Sequence, residues 1–70
     1  MRLNVNGEAR DCALGDLAAL WRAETAELDP PSPKGFAIAL NGAVIRRDAW
    51  ATTALHEGDR VEIIRAMQGG

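Results

Sequence analysis

Cysteine and histidine are nearly missing from this chain: Cys12 is the one thiol and His56 the one imidazole in 70 residues. A single cysteine excludes an intramolecular disulfide. A thiolate metal site needs several Cys or His ligands, and a nucleophilic triad needs a base beside its nucleophile. Neither can be assembled from this inventory. A surplus of positive charge is missing as well. Eight Lys+Arg stand against ten Asp+Glu, for a net charge of −2. Residues 1–35 hold 4 basic and 6 acidic side chains, and residues 36–70 hold 4 and 4. Binding to a phosphate backbone needs a basic excess, so nucleic acid is excluded as a partner. Long apolar runs are the third absence. Leu17–Trp21 and Phe36–Leu40, five residues each, are the longest. Neither can span a bilayer, and nothing near Met1 has the form of a secretory signal. These absences point to a cytoplasmic chain, with no bound metal or cofactor, whose chemistry takes place in a partner's active site.

What is present suffices for one small domain over residues 1–70, with 47% hydrophobic and 26% charged residues. A chain of this size buries only about 60% of the surface its unfolded form exposes, so the core is thin. Met1, Leu3 and Val5 alternate with Arg2 and Asn4, which predicts a strand. Asn6-Gly7 follows, a two-residue hairpin signal because both residues tolerate positive φ. Glu8–Ala13 reads as the returning strand. Asp16 is a helix N-cap, and Leu17, Leu20, Trp21 and Leu28 fall on one helical face. The spacing predicts a helix of about three turns over Leu17–Leu28. Three prolines within Asp29–Gly35 stop it and stiffen the connection.

Phe36, Ile38 and Leu40 alternate with Ala37 and Ala39, a second clear strand. Asn41-Gly42 repeats the hairpin signal, and Ala43–Ile45 returns. Asp48-Ala49-Trp50 is compatible with a single helical turn. Leu55 is an isolated apolar residue ahead of the Glu57-Gly58-Asp59 turn. Arg60–Arg65 is the last strand, with Val61 and Ile63 on one face and Glu62 and Ile64 on the other. Residues 66–70 form a flexible tail. The order β-β-α-β-β-β predicts an α+β fold: a mixed sheet covered on one face by a single helix, with first and last strands parallel. Leu3, Val5, Leu17, Leu20, Ile38, Leu40, Val61 and Ile63 are the expected core. The other sheet face is left to water or to a partner.

This order, with a chain ending in Gly69-Gly70, resembles the ubiquitin-like β-grasp family. Two segments narrow the resemblance to the thiamine-biosynthesis sulfur carrier proteins. Leu40-Asn41-Gly42-Ala43-Val44-Ile45-Arg46-Arg47-Asp48-Ala49-Trp50-Ala51 is similar to their NGxVVPRxxWA segment. Leu55-His56-Glu57-Gly58-Asp59-Arg60-Val61-Glu62-Ile63-Ile64 is similar to their LxxGDxVEIV segment. Arg46 stands where that family often has proline, and Met67-Gln68 replace smaller or apolar residues before the glycines. The resemblance implies that an ATP-dependent adenylating enzyme converts the C-terminal carboxylate to an acyl-adenylate. Sulfur from a persulfide donor then displaces AMP, and the resulting thiocarboxylate supplies thiazole synthase. ATP is the partner's cofactor, and the chain is a protein cosubstrate rather than an enzyme.

The residues themselves agree with that chemistry. A carboxylate resists nucleophiles until its charge is masked, and adenylation masks it. To reach an ATP site it must travel on a narrow arm, and glycine makes the narrowest. Fully extended, the arm spans about 13 Å. The expected reactive group is thus the carboxylate of Gly70, with Gly69, Gln68, Met67, Ile64 and Arg47 as partner contacts. Arg47 matches the family's arginine, and Ile64 would lie on the uncovered sheet face. Other residues read as structural: Cys12 as a small buried hydrophobe rather than a persulfide relay, His56 as solvated, Trp21 as core, and Trp50 as packing a loop against the sheet edge. Two alternatives remain. One is the small subunit of molybdopterin synthase, which uses the same thiocarboxylate chemistry. The other is a β-grasp interaction module with an inert diglycine end.

Overall fold

Alternation in the first five residues does produce a strand, β1 (Arg2–Val5), with Leu3 and Val5 inward and Arg2 and Asn4 outward. The computed structural model describes residues 1–13, 15–27 and 35–65. Asn6 and Gly7 take φ of 53° and 83°, the left-handed pair that a tight hairpin requires. They lead into β2 (Glu8–Asp11), which is exposed throughout and shorter than the Glu8–Ala13 expected. The second Asn-Gly turn behaves alike, with Asn41 at 51° and Gly42 at 89°. It joins β3 (Phe36–Leu40) to β4 (Ala43–Ile45). The last strand, β5, runs Arg60–Arg65. The five strands form one sheet in the order β2-β1-β5-β3-β4. β1 and β5 are parallel and every other neighbouring pair is antiparallel. β5, last in the chain, is thus the central strand.

Asp16 caps the helix α1 (Leu17–Glu24): its Oδ1 accepts the Ala19 N–H at 2.8 Å. The helix is two turns long rather than three. At its end the buried Thr25 donates both its hydroxyl, at 2.7 Å, and its N–H, at 3.0 Å, to the Trp21 carbonyl. The backbone leaves helical geometry at this residue, with φ of −110° and ψ of 14°. Leu28 and the proline-rich residues 29–34 lie outside the described residues.

Leu3, Val5, Leu17, Leu20, Ile38 and Val61 are each 2% exposed or less and form the centre of the core. Leu40 and Ile63, expected with them, are only half-buried and pack against its margin. An eight-residue helix is about 12 Å long, whereas a six-residue strand spans about 20 Å, so α1 cannot roof the whole sheet. Part of the missing cover comes from a 3₁₀ helix at Arg47–Thr52. There Trp50 does more than close the sheet edge. Its Nε1 donates to the Ile45 carbonyl of β4 at 3.0 Å, and its ring lies 5.8 Å from Trp21 of the helix. Trp21 in turn meets Phe36 edge-on at 5.6 Å. Leu55, isolated in sequence, is also buried, because its N–H donates to the Gly15 carbonyl at 2.9 Å and ties the segment beneath the helix start.

Truncation of Leu20 to alanine should remove about 2–5 kcal/mol of stability through the cavity it leaves. Denaturant unfolding measures this, and an unchanged midpoint would displace Leu20 from the core.

Candidate functional site

The sheet face away from the helix is assigned by register. Leu3, Val5, Ile38 and Val61 are buried under α1, so their neighbours along each strand point the other way. Ile64 is among them, 52% exposed. It pairs with Ala37 of β3, and two residues along β3, Ala39 pairs with both Glu62 and Val44. Val44 is 76% exposed, the most exposed large hydrophobic residue described. Directly paired side chains lie about 4.5–5.5 Å apart at Cβ. Val44, Ala39, Ala37 and Ile64 therefore make one apolar strip on the β4-β3-β5 half of the face. The β1-β2 half is polar. Arg2 pairs with Asp11 at 3.3 Å, and Asn4 stands beside Arg60. Ile64 is thus where the alternation of β5 placed it. Val44 was missed by sequence reasoning, though the signal was available: once Asn41-Gly42 sets a two-residue turn, Ile45 faces Ile38 and Val44 must face out.

Arg47 opens the 3₁₀ helix and is exposed. Its neighbour Arg46 is engaged by Asp48 at 3.2 Å. Among the described residues Arg47 makes no ion pair. Gly70, Gly69, Gln68 and Met67 lie outside the described residues. The described residues end with β5, whose last residue Arg65 pairs with Phe36 and sets its guanidinium over that ring at 5.8 Å. Cys12 is buried, as its reading as a small hydrophobe expected. His56 is exposed, with Nδ1 3.8 Å from Asp59 Oδ2.

Asp59 anchors the turn that launches β5. Its carboxylate accepts the Asn41 side-chain amide at 3.1 Å and the His56 N–H at 2.8 Å. Its carboxyl lies below the ordinary carboxylate range, first because of the Asn41 donor. Burial opposes this, and the His56 N–H and imidazole add to the lowering. Among the described residues no group of three or more His, Cys, Asp or Glu could hold a metal ion. No described helix is long and apolar enough to cross a membrane.

Against this geometry, the model of the ThiS family matches residues 3–70, from the first strand through Gly69-Gly70. The chain belongs to the ThiS family. Two solved structures of the Geobacter metallireducens thiamine biosynthesis protein ThiS agree. The crystal structure is 29% identical over the whole of both chains, with a TM-score of 0.73. The solution structure is 32% identical over all of this chain and 88% of that one, with a TM-score of 0.70. No match was found among curated proteins. The ThiS-family chain accordingly has a ubiquitin-like β-grasp fold, as the strand order and the Asn-Gly segments predict.

Proposed function

We propose that this ThiS-family chain is a sulfur carrier for thiazole formation in thiamine biosynthesis, working in the cytoplasm as a protein cosubstrate. The observation that carries the reading is the family match running through the diglycine at Gly69-Gly70, on a chain whose last strand is the central one. A central strand is held by neighbours on both sides, so it gives the residues that follow it a fixed base. An ATP-dependent adenylating enzyme joins the Gly70 carboxylate to AMP and releases pyrophosphate. The sulfur of a persulfide donor then displaces AMP. Once a thiol frees it from that donor, it remains as a terminal thiocarboxylate for thiazole synthase.

The Val44–Ala39–Ala37–Ile64 strip supports the partner side of this reading. An exposed apolar strip beside the base of the tail suits docking, and Met67 and Gln68 would extend the contact into the partner's channel. Arg47 is the cation available to an acidic rim. One reactive end must visit two enzymes in turn, so both are expected to use this surface.

Mass spectrometry of the chain purified from its own host is the direct test. A species heavier by the sulfur-for-oxygen difference, localised to Gly70, is expected in sulfur-replete cells. Its absence there would favour an inert interaction module.

A further inference from the structure

β5 is clasped by the two Asn-Gly turns, at its first residue Arg60 and at Ile63, two residues before its end, and the two clasps use the same device. In a parallel ladder, the Asn6 N–H bonded to the Val61 carbonyl at 2.9 Å should be followed by the Ile63 N–H bonded to the Asn6 carbonyl. The chain has already turned at Asn6, with φ of 53°, so the backbone oxygen is not offered. The Asn6 side-chain oxygen Oδ1 accepts the Ile63 N–H instead, at 2.8 Å. Asn41 does the same on the β3 side at the start of the strand. Its N–H donates to the Arg60 carbonyl at 2.7 Å, and its Oδ1 accepts the Arg60 N–H at 2.9 Å.

The two clasps differ in what lies beyond them. Past Asn41, β5 runs on into the sheet. Past Asn6, no described strand accompanies β5 on the β1 side, since β1 ends at Val5 and the β1–β5 pairing at Val61. The Asn6–Ile63 bond is therefore the last described hold on that side before the tail. Beyond it, among the described residues, β3 alone pairs with the strand, Ala37 opposite Ile64 and Phe36 opposite Arg65. Asn6, Phe36, Ile63 and Arg65 also line one groove at the end of the helix.

We propose that Asn6 is a positioning residue for the tail: its side-chain oxygen fixes the direction in which β5 delivers Gly70. The inference rests on the carrier reading above. If the bond is lost, the hold on the β1 side ends two residues earlier, at Val61, so the end of β5 can swing about its pairing with β3 and only a fraction of molecules points the carboxylate into a partner's channel. A reduced competent fraction lowers apparent affinity by that fraction without altering the chemistry once bound. The effect therefore falls on KM, not on kcat.

The test is pyrophosphate exchange by the cognate adenylating enzyme with wild type, Asn6→Gly, Asn6→Asp and Asn41→Gly chains. Amide hydrogen exchange at Ile63 is followed in parallel. Glycine keeps the positive φ and removes only the acceptor, while aspartate keeps the acceptor. For Asn6→Gly, Ile63 exchange should quicken and KM should rise, each about three- to ten-fold, the range that one net hydrogen bond supports, with kcat unchanged. Asn6→Asp should restore KM. Asn41→Gly loses more bonds to the Asp59–Arg60 segment and should still leave KM within about two-fold of wild type, because its clasp is far from the tail. Should Asn6→Gly fold poorly, Asn6→Ser, whose hydroxyl falls short of the amide oxygen's reach, carries the same expectation. A wild-type KM in a folded acceptor-less variant with faster Ile63 exchange would overturn the proposal. So would an equal KM rise in Asn41→Gly. Failure of the wild-type chain to support exchange at all would instead remove the carrier reading, and the Ile63 exchange rates would still report whether Asn6 holds the strand.

Discussion

Deleting Gly70 is expected to abolish pyrophosphate exchange with the adenylating enzyme while leaving fold and docking intact. Gly70 is five positions past Arg65, the end of β5, so its loss changes nothing in the core or on the apolar strip. It does move the carboxylate back by about 3.5 Å, the reach of one residue. Nucleophilic attack on the α-phosphate needs reacting atoms within about 3–3.5 Å and in line, so a shortfall of that size removes the reaction rather than slowing it slightly. Adding one residue after Gly70 should fail equally, by carrying the carboxylate past the phosphate and putting a side chain into a channel shaped for glycine. Cys12→Ser is the complementary variant. The thiol is buried, and the substitution should leave both exchange and sulfur loading in place. Normal adenylation of the deletion variant, or loss of sulfur loading in folded Cys12→Ser, would remove Gly70 from its assigned role.

The second large effect is expected at the apolar strip. Ile64→Asp and Val44→Asp each set a charge among Ala37, Ala39 and the remaining large side chain. Each should weaken binding to the adenylating enzyme and to thiazole synthase by ten-fold or more, as when a central apolar contact of an interface is lost (about 1.4 kcal/mol per decade). Both residues are exposed, so the unfolding midpoint should move little. Ala9→Asp is the control: Ala9 pairs with Asn4 and lies at the polar end of the same face. Titration calorimetry with each partner separates the cases. Wild-type affinity in both strip variants would place the docking surface elsewhere.

Most of the strands were legible because two Asn-Gly pairs punctuate them, and left-handed φ at each Asn and Gly leaves those sites few alternatives to a hairpin. β3, β4 and β5 match their expected limits. The parallel β1–β5 pairing followed from a crossover through a helix. The helix length did not follow, because the backbone leaves helical geometry at the buried Thr25 while the apolar spacing continues to Leu28. Leu55 gave no periodic signal at all. Its burial comes from a backbone bond to Gly15, forty positions away in sequence. The Asn6 and Asn41 clasps were equally silent, since a turn asparagine reads the same whether or not its amide meets another strand.

The chain's own residue order determined the chemistry open to it. The chain has one cysteine and one histidine, and under the proposed carrier reading the Gly70 carboxylate behind Gly69 is the group to activate. Residue order also determined the alternation that sets Val61 and Ile63 against Glu62 and Ile64. The tertiary structure alone decided which of those faces would be covered, and how far. A period of two distinguishes the faces of a strand without saying which is buried until another element lies on one of them. Here that element is an eight-residue helix, extended by Trp50 on one flank. It roofs Leu3, Val5, Ile38 and Val61 and leaves Ile63 half-covered. On the opposite face, register brings Val44 and Ile64, twenty positions apart in sequence, onto one strip across β3. Pairing between distant segments sets such neighbours, and no local pattern encodes it.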